Sequence, residues 1–260
     1  MKPIVKWSGG KTDELKRFED YIPSDCSTFI EPFAGGAATF FHVGNQFENK
    51  VLSDVHVELV ALYRAIANGK SQAIYDFMKS HANDEKTYYE VRSWKPEDYV
   101  DVASRFYYLR KTCFRGMMRY NKNGGFNVPF GRYKTYNFED IINEEYYNIL
   151  KDTIILEKSF DYIFETYNDS SNFVFLDPPY DSVFTDYGYC SFGKEEHVRL
   201  SNFFKTTKNK CLMVIGATDF IRELYDGYIH TEYEKKYRFK LHSGRVGDEI
   251  NTTHLVIKNY

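Results

Sequence analysis

The most chemically specific feature of the sequence is the tetrapeptide Asp177-Pro178-Pro179-Tyr180. It follows the apolar run 173–176, which predicts a buried strand that ends at the prolines, because proline cannot continue a strand ladder. The Asp177 carboxylate and the Pro178 carbonyl can both accept hydrogen bonds from one NH₂ group, while Tyr180 offers a ring face to a planar base. Accepting both hydrogens of an exocyclic amine would free its lone pair for attack. The alternative is a proline-rich strand exit in which Asp177 caps a helix.

A second candidate site is the glycine turn Gly35-Gly36, which follows the predicted strand Thr28–Glu31. Glycine lets the backbone approach a ligand closely, and the change from strand to helix creates a cofactor crevice. Asp54 lies 19 residues beyond Gly35, at the end of the next predicted strand. An acidic side chain in that place can accept hydrogen bonds from ribose hydroxyls. This order of features predicts a site for an adenosine-containing cofactor.

The segment Gly9-Gly10-Lys11-Thr12 only partly resembles a phosphate-binding loop. The first glycine that such a loop requires falls at Val5, so that interpretation fails. Two interpretations stay open: a simple N-terminal loop, or a loop whose Lys11 supplies a cation to a carboxylate or a phosphate.

Strands and helices alternate along the chain, which predicts a wound α/β sheet. Further strands are predicted at 50–53, 212–215 and 254–257, and a helix over Val57–Ala67. Between 58 and 137 the pattern is mostly helical and ends in a predicted hairpin, with a turn at Asn123-Gly124-Gly125. We therefore predict a catalytic domain in two parts, 1–57 and 138–260, and an inserted second domain at 58–137.

The charge distribution along the chain is more informative than its total. The 260 residues carry a net charge of −3, which by itself argues against a nucleic-acid partner. The stretch 105–136, however, holds eight basic residues, nine aromatic residues and no acidic one, so the rest of the chain carries −11. Basic residues among aromatic ones can neutralise phosphates and stack on bases. The stretch predicts a surface for a polyanion, with an ordinary solvated face as the alternative.

Several protein classes are not indicated by the composition. The four cysteines form no CxxC pair and the seven histidines no HExxH motif, so neither a disulfide scaffold nor a metal site is expected. No apolar run reaches the roughly 18 residues of a membrane span. There is no signal-peptide pattern at Met1. We expect a soluble, cytoplasmic protein without a membrane partner.

Four motifs together resemble the Dam-type DNA adenine methyltransferases, the alpha group of amino-methyltransferases that use S-adenosylmethionine. The resemblance covers essentially the whole chain. The motifs are Lys6-Trp7-Ser8-Gly9-Gly10-Lys11, Glu31-Pro32-Phe33-Ala34-Gly35-Gly36, the run from Arg119-Tyr120-Asn121 to Pro129-Phe130-Gly131-Arg132-Tyr133, and Asp177-Pro178-Pro179-Tyr180. The resemblance implies a Rossmann-like methyltransferase sheet with an inserted, mostly helical target-recognition domain that contains a β-hairpin.

The resemblance also implies a role for each matching residue. Asp177, Pro178, Pro179 and Tyr180 would receive a flipped adenine, and S-adenosylhomocysteine would be the product. The residues expected to hold the cofactor are Trp7, Lys11, Glu31, Phe33, Ala34, Gly35, Asp54, Phe160 and Asp177. The residues expected to contact double-stranded DNA are Lys6, Arg115, Met117, Arg119, Asn121, Pro129, Arg132 and Tyr133. Lys6 and Arg119 would read bases, and Met117 would act as an apolar wedge beside the vacated base.

Three positions depart from the family pattern: Arg115 replaces a frequent Asn, Ser159 a frequent Asp, and His56 a more usual Asn. These positions concern the handling of the orphan base, a contact to the cofactor adenine and the residue beside Asp54. The resemblance implies the short site GATC, the family's commonest target, or a related site, and it leaves open a cognate restriction endonuclease as partner. Alternatives are methylation of cytosine N4 or of RNA adenine, a catalytically silent DNA-binding relative, and a nicotinamide-dependent oxidoreductase, which would leave Asp177–Tyr180 without a role.

Two further surfaces are predicted from composition alone. The tyrosine-rich segment Tyr187-Gly188-Tyr189 either closes over a flipped base or is a plain surface loop. A second basic cluster is expected to add phosphate contacts; its members are Lys235, Lys236, Arg238, Lys240 and Arg245.

Overall fold

The computed structural model describes residues 1–181, 192–237 and 250–260, and within them seven strands form one sheet. The strands are β1 (Thr28–Glu31), β2 (Asn49–Ser53), β3 (Thr153–Leu156), β4 (Asn172–Leu176), β5 (Lys210–Gly216), β6 (Ile229–Tyr237) and β7 (Ile250–Lys258). Their order across the sheet is β3-β2-β1-β4-β5-β7-β6. β1 to β5 are parallel, whereas β7 runs antiparallel to both β5 and β6.

The strand order reverses at the centre of the sheet, where β1 lies between β2 and β4. The chain leaves β1 towards one edge and β4 towards the other. In open α/β sheets such a switch point creates a crevice outside the carboxyl ends of the strands, where ligands bind. The fold is therefore a Rossmann-like methyltransferase fold, as the sequence predicts, and the predicted glycine turn and tetrapeptide both begin at this crevice.

The helices of the described residues cover both faces of the sheet, and five of the ten lie between β2 and β3 in the sequence. They are α1 (Leu15–Phe18), α2 (Ala38–Val43), α3 (Val57–Ala67), α4 (Ser71–Ser80), α5 (Glu85–Ser93), α6 (Tyr99–Thr112), α7 (Glu144–Leu150), α8 (Phe160–Thr166), α9 (Lys194–Thr206) and α10 (Asp219–Leu224). The Asp98 carboxylate caps α6 by accepting from the backbone N–H of Val100 and Asp101. No helix of the described segments is both long and apolar enough to cross a bilayer.

Two hydrophobic clusters lie on the two faces of the sheet, because successive residues of a strand point to opposite sides. Phe173 and Phe175 of β4 pack on one face, and Val174 and Leu176 on the other. The Phe173 ring stacks on Phe29 of β1, with the ring centroids 5.6 Å apart. The first cluster also contains Tyr107 of α6, among other residues of the segment 58–137. That segment therefore packs on the sheet through a continuous core.

The structure confirms the predicted strands and the helix Val57–Ala67, and it extends several of the strands at their ends. β3 and β6 have no counterpart among the predicted strands. β6 contains two Glu and two Lys among its nine residues, and β3 is a short strand of four residues. At the predicted hairpin the chain turns at Lys122-Asn123, where the Gly124 N–H donates to the Asn121 carbonyl at 2.9 Å, and it forms one antiparallel bridge, between Tyr120 and Phe126. The domain boundaries at 57 and 137 stay a prediction.

Candidate active site

A cavity of about 940 Å³ opens at the carboxyl ends of β1, β2 and β4. It brings together two sets of residues that lie far apart in the sequence. All nine residues predicted to hold the cofactor and all four predicted catalytic residues line it: Trp7, Lys11, Glu31, Phe33, Ala34, Gly35, Asp54, Phe160, Asp177, Pro178, Pro179 and Tyr180, with Asp177 in both sets. Their convergence follows from the topology, because β1 and β4 are parallel neighbours.

Lys11 lies at the centre of the catalytic side of the cavity. Its side chain is only 1% exposed, and its ammonium group forms an ion pair with Oδ1 of Asp177. It also donates to the Gly9 carbonyl at 3.0 Å and lies 5.1 Å from the centroid of the Tyr180 ring. Burial raises the pKa of Asp177, and the positive charge of Lys11 opposes that rise. Of the two interpretations of Lys11, the structure therefore favours a cation that neutralises a carboxylate.

The Tyr180 ring is held by close packing on two further sides. His254 of β7 meets it edge to face, at 5.3 Å and 89° between the ring planes. A Cβ added at Gly216, the last residue of β5, would lie 3.2 Å from Cδ2 of Tyr180. Gly216 thus provides the space into which this ring fits.

Asp54 holds the glycine turn in place on the opposite side of the cavity. Its Oδ2 accepts the backbone N–H of Gly35 at 2.8 Å, and its Oδ1 accepts the backbone N–H of His56 at 2.8 Å. Gly35 has φ +45°, and a Cβ there would lie 2.7 Å from the Trp7 ring. Only glycine allows this left-handed turn under the indole. Burial raises the pKa of Asp54, and the backbone donors oppose part of that rise.

Aromatic rings form the apolar end of the cavity. Phe33 stacks on Phe160 with centroids 5.6 Å apart, and Phe192 meets Phe33 edge to face at the same distance. Ser159 and Asp161 also line this end. The Asp161 carboxylate forms an ion pair with Arg199 at 3.1 Å, so the acid one position beyond Phe160 is held at the cavity wall by a basic partner.

Glu31 lies at the floor of the cavity, at the end of β1. Its Oε2 accepts the backbone N–H of Phe40 at 3.0 Å. Complete burial raises the pKa of Glu31 well above the usual range, and the negative charge of Asp177 adds to this effect. A protonated Glu31 would avoid an uncompensated negative charge beside the Lys11–Asp177 pair.

A buried polar cluster behind the tetrapeptide has no counterpart in the sequence predictions. Glu14 accepts hydrogen bonds from His254 Nδ1 at 2.6 Å and from the Tyr233 hydroxyl at 2.7 Å, and it pairs with Lys235 at 3.1 Å. Burial raises the pKa of Glu14, but the hydrogen bond from His254, the charge of Lys11 and the Tyr233 hydroxyl outweigh it and lower the pKa to about 2. No local pattern indicates this cluster, since Glu14 and His254 lie 240 residues apart.

The predicted role of Lys235 in binding phosphate is wrong, because its ammonium group pairs with the buried Glu14. The other side chains of the second basic cluster, Lys236, Arg238, Lys240 and Arg245, lie outside the described residues, as does the segment Tyr187-Gly188-Tyr189. In the described ranges, no three His, Cys, Asp or Glu side chains are grouped so that they could hold a metal ion.

None of the predicted DNA-contacting residues lines the cavity, and all of them except Lys6 lie along the segment that follows α6. Lys6 connects the two regions, since it adjoins Trp7 and donates to the Arg115 carbonyl at 3.3 Å. Arg115 has φ +56°. Met117 is 45% exposed, which fits an apolar group presented to a partner.

The turn at 119–127 presents Arg119 and Asn121 on one exposed tip. Arg119 Nε donates to Oδ1 of Asn127 at 2.7 Å, so its guanidinium is oriented before any partner binds. Oδ1 of Asn121 accepts the backbone N–H of Asn123 and of Gly125, both at 2.9 Å, and thereby closes the turn.

Pro129, Arg132 and Tyr133 lie on the return segment of the same region. The Pro129 carbonyl accepts the backbone N–H of Phe114 at 2.8 Å, which ties the return segment to the end of α6. Arg132 pairs with Glu85 of α5 at 3.1 Å, with both side chains mostly exposed, and Tyr133 is exposed. An exposed pair of this kind is weak and can exchange for a phosphate.

Two of the eight basic residues at 105–136 do not belong to a polyanion surface, so that prediction is wrong for them. Arg105 pairs with Glu58 at 2.6 Å. Arg110 is buried, donates to the carbonyls of Lys6 and Met117, and lies over the Trp7 ring with its guanidinium carbon 5.6 Å from the centroid. Of the others, Lys111 is half-buried, and the exposed ones are Arg115, Arg119, Lys122, Arg132 and Lys134.

Comparison with known proteins agrees with this geometry. Residues 7–240 match the family model of D12 class N6 adenine-specific DNA methyltransferases. The chain is 33% identical to the type II methyltransferase M.MjaIII of Methanocaldococcus jannaschii, over 88% of this chain and 89% of that protein. It is 30% identical to the DNA adenine methylase of Haemophilus influenzae, over 87% of this chain and 83% of that protein. It is also 30% identical to the DNA adenine methylase of Escherichia coli, over 96% and 90% respectively. The chain therefore belongs to the D12 class of N6 adenine-specific DNA methyltransferases.

Proposed function

We propose that this enzyme transfers the methyl group of S-adenosylmethionine to N6 of an adenine rotated out of duplex DNA. The observation that carries the proposal is the single cavity that holds Asp177-Pro178-Pro179-Tyr180 at one end and Asp54 with the Phe33–Phe160 pair at the other. One end suits a planar base with an exocyclic amine, and the other suits an adenosine.

The residues of the cavity fit S-adenosylmethionine in size and chemistry. Its volume of about 940 Å³ lies within the range of roughly 300–1,000 Å³ that is typical of ligand pockets. The Phe33 and Phe160 rings would border the adenine and Asp54 the ribose, while Trp7 and Lys11 would hold the methionine part. The bound cofactor supplies an electrophilic methyl group on a positively charged sulfur and becomes S-adenosylhomocysteine.

The catalytic residues of the chain would position the amine and make its nitrogen nucleophilic. Lys11 contacts Oδ1 of Asp177, so Oδ2 is the oxygen that would accept one N–H of the amine. The Pro178 carbonyl would accept the other N–H, and Tyr180 would stack on the base. Lys11 opposes the effect of burial on the pKa of Asp177 and so favours the carboxylate, the form that accepts. The methylated nitrogen would release one proton, which Oδ2 of Asp177 is placed to accept. Positioning of this kind supplies rate without a strong base.

The exposed segment after α6 would bind the duplex. Arg115, Arg119 and Arg132 are exposed cations for phosphates or base edges, and a bidentate arginine–guanine contact is the commonest direct readout in the major groove. Asn121, Pro129 and Tyr133 would contact the duplex from the same segment, and Lys6 would contact it beside the cavity. Met117 would fill the space that the adenine leaves. The proposal also includes three further points: GATC as the target, protection of DNA from a restriction endonuclease, and a cytoplasmic location.

The test is the transfer of labelled methyl groups from S-adenosylmethionine to duplex DNA by Asp177→Asn. The amide keeps the shape of the carboxylate but has only one acceptor oxygen and no charge to pair with Lys11. We expect a loss of at least about 100-fold in kcat with much of the cofactor affinity retained. Asp169→Asn is the matched control, because Asp169 precedes the opposite end of β4. Near-normal transfer by Asp177→Asn would overturn the proposed mechanism.

A further inference from the structure

His56 is a buried residue that lies between the cofactor cavity and the DNA-contacting segment. It is 4% exposed and occupies the N-cap of α3. On the cavity side, its backbone N–H donates to Asp54 at 2.8 Å and its ring meets the Trp7 ring edge to face at 5.6 Å. Both of these neighbours line the cavity.

The other side of the same ring contacts the segment predicted to read DNA. His56 Nε2 lies 2.7 Å from the hydroxyl of Tyr120, the residue between Arg119 and Asn121. The Tyr120 hydroxyl donates to Oε2 of Glu58 at 2.6 Å, and Arg105 donates to Oε1 of Glu58, also at 2.6 Å. His56 therefore joins Asp54, through its backbone N–H, to the turn that carries Arg119, through its ring.

The hydrogen-bond partners fix the tautomer of the His56 ring. Nδ1 accepts the backbone N–H of Leu59 at 3.2 Å, so it must be unprotonated. The proton of the neutral ring is then on Nε2, which donates to the Tyr120 oxygen, while the Tyr120 proton points to Glu58. Burial, together with the positive charge of Arg110, lowers the pKa of His56 to about 3, so the ring stays neutral. The hydrogen bonds from Leu59 through the His56 ring and Tyr120 to Glu58 therefore all run in the same direction.

We propose that His56 is a positioning residue that couples cofactor binding to DNA binding, through Asp54 on one side and Tyr120 on the other. The proposal rests on the assignment of S-adenosylmethionine to this cavity and of DNA to the turn that carries Arg119. A ligand that fixes Asp54 and Trp7 restricts the His56 backbone and ring. The restricted ring fixes Tyr120, so the turn loses less conformational entropy when DNA binds. The same coupling must act in the reverse direction.

The sharpest test uses variants that separate two roles of His56: its N-cap of α3 and its hydrogen bond to Tyr120. In His56→Asn the short amide can still accept the Leu59 N–H as an N-cap, but it does not extend as far as Tyr120. In Tyr120→Phe the ring stays and the hydroxyl is lost. Tyr88→Phe is the matched control, because the buried Tyr88 hydroxyl also holds the DNA-contacting segment, by donating to the Val128 carbonyl at 2.7 Å, without a contact to Asp54.

The measurement is the dissociation constant of S-adenosylhomocysteine with and without a duplex that carries the methylated site. We expect the duplex to tighten binding by at least about fivefold in the wild type and in Tyr88→Phe. In His56→Asn, in Tyr120→Phe and in the double variant we expect the same small factor, below about twofold, because the two residues act in one series.

An unchanged coupling factor in His56→Asn and Tyr120→Phe would overturn the inference, as would a wild type without coupling or a loss of coupling in Tyr88→Phe. A wild type that binds neither S-adenosylhomocysteine nor duplex would instead contradict the proposed function. The coupling factor is the readout that a merely structural role would not move. Nitrogen NMR tests the hydrogen bonds themselves: we expect the His56 proton on Nε2, and a proton on Nδ1 would contradict the series.

Discussion

At the scale of single residues, the Lys11–Asp177 pair determines how the rate of methyl transfer depends on pH. Burial raises the pKa of Asp177 and Lys11 opposes that rise. The carboxylate is the form that accepts the amine, so activity should fall as the pH drops through this pKa. Lys11→Met removes the opposing charge, so the acidic limb of kcat/KM should move to higher pH.

The matched control for this prediction is Lys16→Met, which removes an exposed lysine five positions further along the chain. Both variants are compared with the wild type by the pH profile of methyl transfer. The acidic limb should stay in place in Lys16→Met. An acidic limb that does not move in Lys11→Met would contradict the assigned electrostatic role.

At the scale of elements, the turn between β1 and α2 is set by a contact as well as by a backbone angle. Gly35 has φ +45° and Gly124 has φ +74°, but a Cβ at Gly35 would lie 2.7 Å from the Trp7 ring, whereas one at Gly124 meets nothing within 4 Å. Gly124→Ala should cost about 1–2 kcal/mol of unfolding free energy from backbone strain alone. Gly35→Ala should cost about 1–3 kcal/mol more, because the indole must move.

Chemical denaturation of the two glycine variants measures this difference, and calorimetric titration with S-adenosylhomocysteine measures its effect on the site. We expect weaker cofactor binding in Gly35→Ala and unchanged binding in Gly124→Ala. Equal unfolding free energies for the two variants would show that Trp7 moves aside without cost, and the contact with the indole would then not set the turn.

The elements that sequence patterns predict well are those with a local signal. Asp177 and Asp54 could be placed at strand ends because each directly follows a predicted strand, and parallel strands bring such ends to one edge. β6 escaped prediction because it carries charged residues: among the described residues it pairs with β7 alone, and one of its faces is solvated.

Contacts between distant segments had no signal in the sequence. The Glu14–His254 hydrogen bond joins a residue of the N-terminal region to β7. Arg110 belongs to a basic stretch, yet its guanidinium is buried on carbonyls. Charge spacing cannot distinguish an arginine that binds phosphate from one that binds backbone, because the difference depends on burial.

At the scale of the whole molecule, the sheet positions the catalytic and cofactor-binding residues, and the segment after α6 carries exposed basic residues. Lys122 and Lys134 are exposed basic residues of that segment. If each neutralises one phosphate, Lys122→Gln with Lys134→Gln should weaken duplex binding and reduce the slope of log K against log salt by about 2. Lys205→Gln removes an exposed lysine of α9 and serves as the control.

A salt titration of duplex binding by the wild type, the double variant and the control measures these slopes. The control should keep the slope of the wild type. An unchanged slope in the double variant would mean that the phosphates of the duplex contact other residues of the protein.

Methylation of adenine N6 through Asp177 can be tested in living cells by sequencing the modified bases in DNA from cells that express the wild type or Asp177→Asn. We expect N6-methyladenine at one short site with the wild type and an unmethylated site with Asp177→Asn. Methylated cytosine, or the same N6-methyladenine in the presence of Asp177→Asn, would contradict the proposed reaction.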